Sequence, residues 1–184
     1  MSLQTWQETL IVAPGDGPAL TAAAAARCIP ATALITLPPN FWAVGRAMRI
    51  KASGKITSVI TTPGTARFDV RMTASVVFDS LAILLDSVAA HTNVGWLLEI
   101  ILTCRAIGAT GNLFGQGKWT CEDILGVPAT APKGVLSAIL PWNSAPAVGG
   151  NFDTTISHIL DLYFTQTEAT GSLTLNQFLV EMLN

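Results

Sequence analysis

The hexapeptide RFDVRM, residues 67–72, decides the fold class of this chain, because its polar and apolar side chains alternate without a break. In an extended backbone, successive side chains point to opposite faces, so Arg67, Asp69 and Arg71 share one face. The apolar residues between them share the other face. A period of two is typical of a strand that covers a hydrophobic core with one face and meets solvent with the other. Residues 67–72 are therefore predicted to form a half-buried β-strand.

Segments on either side of this hexapeptide carry the same period. Residues 46–53 alternate in the same way and predict a second strand. Gly54 and the Pro63-Gly64 pair are typical turn residues, so residues 55–61 are predicted to form a separate strand between two turns. Two shorter strands are predicted at residues 75–79 and 81–87.

Residues 94–107 (VGWLLEIILTCRAI) form the most apolar segment, long enough for either a helix or a strand. Its even-numbered positions are nearly all apolar, whereas its odd-numbered positions mix Leu97 and Ile101 with Glu99 and Arg105. We interpret the segment as a central strand that is partly apolar on both faces. It is too short for a membrane-spanning helix, which needs about 20 apolar residues and does not tolerate charges such as Glu99 and Arg105.

The last third of the chain predicts loops and a hairpin. Residues 111–118 are rich in glycine and are predicted to be a loop. Residues 127–150 contain four prolines and are predicted to be a long connection with one short strand. The turn at Thr170-Gly171-Ser172 predicts a hairpin in which residues 154–167 pair with residues 173–183.

The strands follow one another at a regular spacing. Roughly nine to ten of them occur at intervals of about 8–14 residues, with no helical pattern between them. This arrangement argues against alternating strands and helices and favours two packed antiparallel sheets. We therefore predict an all-β antiparallel β-sandwich, jelly-roll-like, with an extended N-terminal arm. Residues 1–33 are assigned to the arm and first strands, and residues 34–184 to the sandwich domain.

Charged residues are scarce. They make up 12% of the 184 residues, about half the roughly 25% of a typical soluble domain, while 50% of the chain is hydrophobic. A lone monomer of this composition would expose much uncharged surface, so we expect copies of the chain to cover part of each other. The net charge is −2 and no basic run occurs, so nucleic acid is not expected as a partner. No membrane partner and no export leader are expected either.

Side chains that catalyse reactions or bind metals are few and scattered. The two histidines, His91 and His158, do not lie at a spacing typical of metal ligands, and structural roles are expected for both. The chain has no Gly-x-Ser-x-Gly motif, and its acidic residues are spread singly. We expect no catalytic residue, no cofactor and no metal, and therefore no enzyme. Cys28, Cys104 and Cys121 match no zinc or redox motif and are expected to be buried thiols.

Tryptophans are the best candidates for contacts, because aromatic side chains dominate both protein cores and the centres of interfaces. Trp96 lies in the apolar strand and is predicted to belong to the core. Trp6 lies in a polar N-terminal segment and Trp142 in a proline-rich loop, so both are candidates for contact with another chain. Together with Leu3 and Trp42 they form the predicted interface set. Trp142 has a rival role as a stacking platform for a sugar.

Four segments of the chain resemble small bacteriophage virion proteins. They are residues 36–53 (TLPPNFWAVGRAMRIKAS), 92–99 (TNVGWLLE), 102–108 (LTCRAIG) and 159–164 (ILDLYF). The resemblance extends from residue 34 to the C-terminus and consists of strand and turn signatures, so it carries over no functional residue. It implies a jelly-roll domain that trimerises and has a structural role in the virion.

Two roles are consistent with this resemblance. The first is a homotrimeric capsid decoration (cement) protein, which binds the major capsid protein and is assembled in the host bacterial cytoplasm. The alternative is a tail-tip or tail-fibre head domain that binds a host-surface glycan through residues 127–150 and Trp142. The compact chain without a fibrous repeat favours the first role.

Overall fold

The computed structural model describes residues 7–126 and 134–183. Twelve β-strands lie within these ranges. They are β1 (Glu8–Val12), β2 (Ala25–Arg27), β3 (Ile35–Leu37), β4 (Ala47–Ser58), β5 (Thr65–Met72), β6 (Ser75–Asp79), β7 (Ile83–Leu84), β8 (His91–Ala106), β9 (Asn112–Leu125), β10 (Val135–Leu140), β11 (His158–Gln166) and β12 (Ser172–Met182).

The strands form two antiparallel sheets that pack face to face around one core. Sheet A has the order β1-β12-β4-β8-β9-β10. Sheet B has the order β2-β11-β5-β6, with β3 also beside β11 and β7 also beside β5. The described ranges contain no α-helix, and the one helical feature within them is a 3-10 turn at Ala31–Ala33. The prediction of an all-β antiparallel sandwich is confirmed.

The strand pairs are nested, as in a long hairpin that has been rolled up. β1 pairs with β12, β2 and β3 pair with β11, β4 pairs with β8, and β5 pairs with β6. This nesting makes the sandwich jelly-roll-like. β9 and β10 extend sheet A beyond β8. The N-terminal segment runs extended along the sandwich, with β1 at the edge of sheet A and β2 at the edge of sheet B; a domain division at residue 33 stays a prediction.

The hydrophobic core lies between the two sheets and contains the inward face of RFDVRM. Phe68, Val70 and Met72 are fully buried, which confirms the predicted polarity of β5. The ring of Phe68 lies 5.4 Å from that of Trp96 and 5.2 Å from that of Trp119. Trp96 is therefore a core residue, as predicted, and aromatic rings from both sheets meet at Phe68.

The predicted turn at Gly54 is wrong, because β4 continues through it as one strand of 12 residues. Residues 55–58 belong to this strand and not to a separate one. Gly54 lies opposite Leu175, next to a shift in the register of β12. A Cβ at Gly54 would overlap the carbonyl oxygen of Thr174. The glycine is therefore needed for the close approach of two strands.

The predicted loop at residues 111–118 is also wrong, because residues 112–118 lie in β9. Gly115 points into the sandwich, where a Cβ would overlap the ring of Phe78 on β6. The absence of a side chain at Gly115 makes room for an aromatic ring of the opposite sheet. Glycine in this strand therefore reflects packing between sheets and not a break in the backbone.

The last two strands do not form the predicted hairpin. β11 pairs with β5 in sheet B, whereas β12 pairs with β4 and β1 in sheet A. The turn at residues 167–171 therefore carries the chain from one sheet to the other. A short polar turn permits either a hairpin or a crossover, and only the packing of the two sheets distinguishes them.

The predictions for two long segments, residues 94–107 and 127–150, agree better with the structure. Residues 94–106 lie in β8, which confirms a central strand. No helix among the described residues is long and apolar enough to cross a membrane. β10 is the short strand predicted within residues 127–150, and residues 127–133 of that segment lie outside the described residues.

Candidate assembly surface

The side chains of β8 form two faces with opposite exposure. Trp96, Leu98 and Ile100 point into the sandwich and are at most 2% exposed. Leu97 and Ile101 point away from it and are 61% and 43% exposed. Large apolar side chains therefore lie on the solvent side of a strand at the centre of sheet A, where both neighbouring strands are long.

The outer face of sheet A consists of the side chains of β12, β4, β8 and β9 that point away from sheet B. On this face Leu97 lies between Ser53 of β4 and Thr120 of β9. Ile101 lies opposite Arg49 of β4. The apolar side chains thus alternate with small polar and charged ones, a mixture that interface centres and rims share.

A row of charges crosses the outer face between Leu97 and Ile101. Lys51, Glu99 and Lys118 lie side by side with alternating sign. The Nε of Arg49 lies 2.9 Å from a carboxylate oxygen of Glu181, and its Nη1 lies 3.9 Å from Glu99. The longer pair with Glu99, whose side chain is 48% exposed, adds at most about 1 kcal/mol to folding. The fixed pattern of these charges is better suited to setting the register of a partner.

A groove runs across the same face. Two adjoining depressions of about 860 and 570 Å³ share five lining residues, Ser53, Leu97, Thr120, Asn176 and Gln177. The turn at residues 14–16 contributes to the wall of the larger depression. The outer face of sheet A is therefore concave, with Leu97 in both depressions.

The face approaches the size of one subunit contact. Its shortest member, β12, has 11 residues. Four strands about 4.8 Å apart, each 11 residues long at about 3.4 Å per residue, cover about 700 Å². A stable interface buries about 800 Å² on each partner. Apolar side chains continue to the edges of sheet A, where Val12 of β1 and Ile139 of β10 are exposed.

The outer face of sheet B, formed by the side chains of β2, β11, β5 and β6 that point away from sheet A, carries paired charges instead. The Nε of Arg67 lies 3.0 Å from Asp69 and 2.7 Å from Asp79. The Nη2 of Arg71 lies 3.0 Å from the other carboxylate oxygen of Asp69. The predicted polar face of RFDVRM is therefore an ion-pair network.

The network continues onto β11 and β2. The Nε of Arg27 donates to Asp161 at 2.6 Å, and the guanidinium of Arg71 lies over the ring of Tyr163, 3.9 Å from its centroid. Burial raises the pKa of Asp161, and the hydrogen bond and charge of Arg27 offset part of that rise. Although they belong to an outer face, Asp69 and Asp161 are only 2% and 3% exposed. The arginines and aspartates of sheet B are thus paired with one another, although Arg71 Nε and one carboxylate oxygen of Asp161 have no hydrogen-bond partner among the described residues.

Two of the four predicted interface residues, Trp42 and Trp142, belong to the described part of the chain and lie elsewhere. Trp42 is 5% exposed and belongs to the core of its own chain. Trp142 is half-buried, and its ring lies directly against Gly126. Leu3 and Trp6 lie outside the described residues. Trp42 and Trp142 do not belong to the strands that form the outer face of sheet A. The interface role of all four predicted residues stays a prediction.

His91 contacts two buried carboxylates, although its position in the sequence gives no sign of such partners. Its Nε2 lies 3.0 Å from an oxygen of Asp86 and 3.9 Å from an oxygen of Asp123. Burial by itself favours a higher pKa for Asp86, but hydrogen bonds from His91 and from backbone amides outweigh it, so the pKa is lowered. Burial raises the pKa of Asp123 despite a hydrogen bond from Ser58. The spacing of these residues along the chain carries no signal of the cluster.

His158 has the structural role that was expected. Its Nε2 lies 2.6 Å from the carbonyl oxygen of Asp153, and its ring meets that of Phe152 edge to face. These contacts tie the start of β11 to the segment before it.

The three cysteines are free and buried, as expected. Burial raises the pKa of Cys28 and Cys104, and it raises the pKa of Cys121 to about 12. Thiols held in the protonated form inside the sandwich are poor nucleophiles and poor metal ligands.

Leu97 and Ile101 were not among the interface residues predicted from the sequence, although both belong to the apolar segment 94–107. The available signal was the second apolar face of residues 94–107, which a strand buried on one side only does not need. No family model, curated protein or solved structure matches the chain.

Proposed function

We propose that this chain is a non-enzymatic structural protein of a bacteriophage particle that works by association with copies of itself and with other virion proteins. The specific form that we propose is a homotrimeric capsid decoration protein, which attaches to the major capsid lattice. The number three and the phage context come from the resemblance of residues 36–53, 92–99, 102–108 and 159–164 to small virion proteins.

The observation that carries this proposal is the exposed apolar outer face of sheet A. Leu97 and Ile101 are exposed on a central strand of sheet A, in a chain with 22 charged residues in all. These exposed apolar side chains flank a row of charges, and interface centres and rims combine the same two kinds of side chain. A second subunit on this face would remove Leu97 from water and use the charge row of β4, β8 and β9 to set its register.

The glycan-binding alternative has less support from the geometry. A sugar platform requires the flat face of an aromatic ring to be free. The ring of Trp142 lies against Gly126, and the backbone N–H of Trp142 donates to the carbonyl of Ser80 at 2.8 Å. Trp142 therefore contributes to the packing of its own chain at the end of β10.

Two measurements test the proposal. Light scattering of the purified chain should give about three times the monomer mass of 19.3 kDa. Imaging and quantitative mass spectrometry of intact particles should find the chain on the head, in a copy number that matches the capsid lattice. A monomeric mass at physiological concentration contradicts self-association, and a copy number far below the lattice contradicts the decoration role.

A glycan array distinguishes the alternative. We expect no binding by the native chain or by Trp142→Ala. Specific glycan binding that is lost in Trp142→Ala would favour the tail-fibre role.

A further inference from the structure

Three potential metal ligands meet at one end of the sandwich. Asp86 follows β7 of sheet B, whereas His91 begins β8 and Asp123 lies near the end of β9, both in sheet A. One ligand atom from each residue can be chosen so that all three atoms lie within 4.8 Å of one another. This site is far from the charge row on the outer face of sheet A and plays no part in the proposed assembly.

The cluster holds more negative than positive charge. Asp86 and Asp123 are 1% and 0% exposed, and two buried carboxylates are costly unless cations compensate them. Within the described ranges, the one basic side chain in an ion pair with either carboxylate is His91. Two carboxylates, a neutral imidazole and one divalent cation sum to zero charge, so a divalent cation would balance the cluster.

We propose that Asp86, His91 and Asp123 bind a divalent transition-metal cation of the zinc type. One imidazole nitrogen and two carboxylate oxygens are a donor set that Zn²⁺ accepts, and imidazole favours such ions over Mg²⁺ or Ca²⁺. Bonds of about 2.0–2.1 Å in a tetrahedron place neighbouring donor atoms about 3.3 Å apart. The distances from His91 Nε2 to the two carboxylates, 3.0 and 3.9 Å, lie on either side of this value.

The remaining oxygens of the two carboxylates are already held by the protein. Asp86 Oδ1 accepts from the backbone N–H of Val88 at 2.7 Å. Asp123 Oδ2 accepts from the hydroxyl of Ser58 at 2.5 Å. The second oxygens, Asp86 Oδ2 and Asp123 Oδ1, face His91, and Asp123 Oδ1 also accepts from the backbone N–H of Asp86 at 3.1 Å. Such hydrogen bonds fix the orientation of carboxylates that ligate a metal through one oxygen. Binding through Nε2 requires a neutral imidazole with its proton on Nδ1.

A cation in this position would tie the two sheets together. It would join the segment after β7 to the start of β8 and the end of β9, where the sandwich has no disulfide among its three free cysteines. The expected consequence is a metal-dependent rise in stability without a change of fold.

The test uses the full chain, freed of metal with EDTA and dialysed. Calorimetric titration with ZnCl₂ should show one Zn²⁺ per chain. Thermal unfolding should shift upward by about 5–10 °C when free Zn²⁺ is about 100 times the Kd, and EDTA should reverse the shift. His91→Gln should weaken binding by more than the 10–100-fold typical for loss of an outer-shell partner.

The matched control is His158→Gln, which removes the other histidine and should bind Zn²⁺ like the native chain. Asp123→Asn tests a carboxylate ligand; should it fail to fold, His91→Gln, with its side chain 17% exposed, still decides. Absence of binding to the native chain overturns the proposal. Equal binding by His91→Gln and His158→Gln also overturns it, because the metal would then lie elsewhere.

Discussion

The two outer faces of this sandwich are built from strands of the same alternating type, but they expose different side chains to solvent. On sheet B, Arg67 and Arg71 neutralise Asp69, and the face is covered by its own ion pairs. On sheet A, Leu97 and Ile101 are exposed to solvent between small polar and charged side chains. Both faces carry charges, but on sheet B they pair with one another, whereas on sheet A they lie between exposed apolar side chains.

This contrast favours the outer face of sheet A as the proposed contact surface. Six of the 22 charged residues belong to the network of sheet B: Arg27, Arg67, Arg71, Asp69, Asp79 and Asp161. Because these groups already form ion pairs with one another, a partner would gain little by desolvating them. Covering Leu97 and its neighbours removes apolar surface from water at about 25 cal/mol per Å².

The largest expected difference is in thiol reactivity. Ile159→Cys on the outer face of sheet B should react with a thiol reagent at pH 8 on the order of 1,000-fold faster than Cys121, whose pKa is raised to about 12 by burial. Leu97→Cys should react as fast as Ile159→Cys only after dilution below the dissociation constant of the oligomer. Equal rates for Leu97→Cys and Ile159→Cys in concentrated protein would mean that the outer face of sheet A is not covered.

The next effect is on association. Leu97→Asp places a carboxylate in the centre of the proposed contact, and we expect the dissociation constant of the oligomer to rise by about 100-fold or more, as for a central hot spot. Ile159→Asp is the matched substitution on the outer face of sheet B and should leave the oligomer intact. Analytical ultracentrifugation measures both. Dissociation by Ile159→Asp and not by Leu97→Asp would reverse the roles of the two faces.

A smaller effect is expected from the ion pairs of sheet B. Arg71→Met leaves Asp69 with Arg67 alone, and we expect the free energy of unfolding to fall by about 2–3 kcal/mol, less than for a fully buried pair because Arg71 is partly exposed. The double variant Arg71→Met with Asp69→Asn should lose less than the single one, since no unpaired charge remains. Urea unfolding measures the stability, and light scattering should show an unchanged subunit number.

Arg105→Met provides the control for that experiment. Arg105 is exposed and lies 5.0 Å from the ring centroid of Phe114, so its loss should cost no more than about 1 kcal/mol. A loss as large as that of Arg71→Met would show that any arginine stabilises this chain and that the network of sheet B is not special.

The smallest effect is expected in the charge row of sheet A. Glu99→Gln should change the free energy of unfolding by less than about 1 kcal/mol, because Glu99 is 48% exposed and Arg49 keeps its closer pair with Glu181. Any change should shrink in high salt. Urea unfolding at two salt concentrations measures it, and a loss above about 2 kcal/mol would mean that the row supports the fold itself.

Several features of the fold were predictable because they depend on neighbouring residues alone. The alternation in RFDVRM indicated which side chains of β5 are buried, and the two faces of residues 94–107 indicated a strand. The same local patterns misled at Gly54 and at residues 111–118. Glycine in those places makes room for the carbonyl of Thr174 and the ring of Phe78, and a contact with a distant residue leaves no local trace.

The candidate sites show the same division. An exposed Leu97 was implied by a strand with apolar residues on both faces, but its position at the centre of sheet A was not. The cluster of Asp86, His91 and Asp123 could not be predicted, because the spacing of these residues along the chain matches no metal-ligand motif. The ion pair of Arg27 and Asp161 joins residues 134 positions apart and was equally invisible.

Side-chain alternation and composition were thus enough to establish that the chain is a β-sandwich short of charge, because burial on one face imposes a period of two on every strand. The tertiary structure alone decided that β11 and β12 lie in different sheets, which outer face stays open, and where the two aspartates meet His91. The physical reason is that strand pairing and sheet packing bring together residues remote in the chain, and their choice of partner depends on the shape of the whole core.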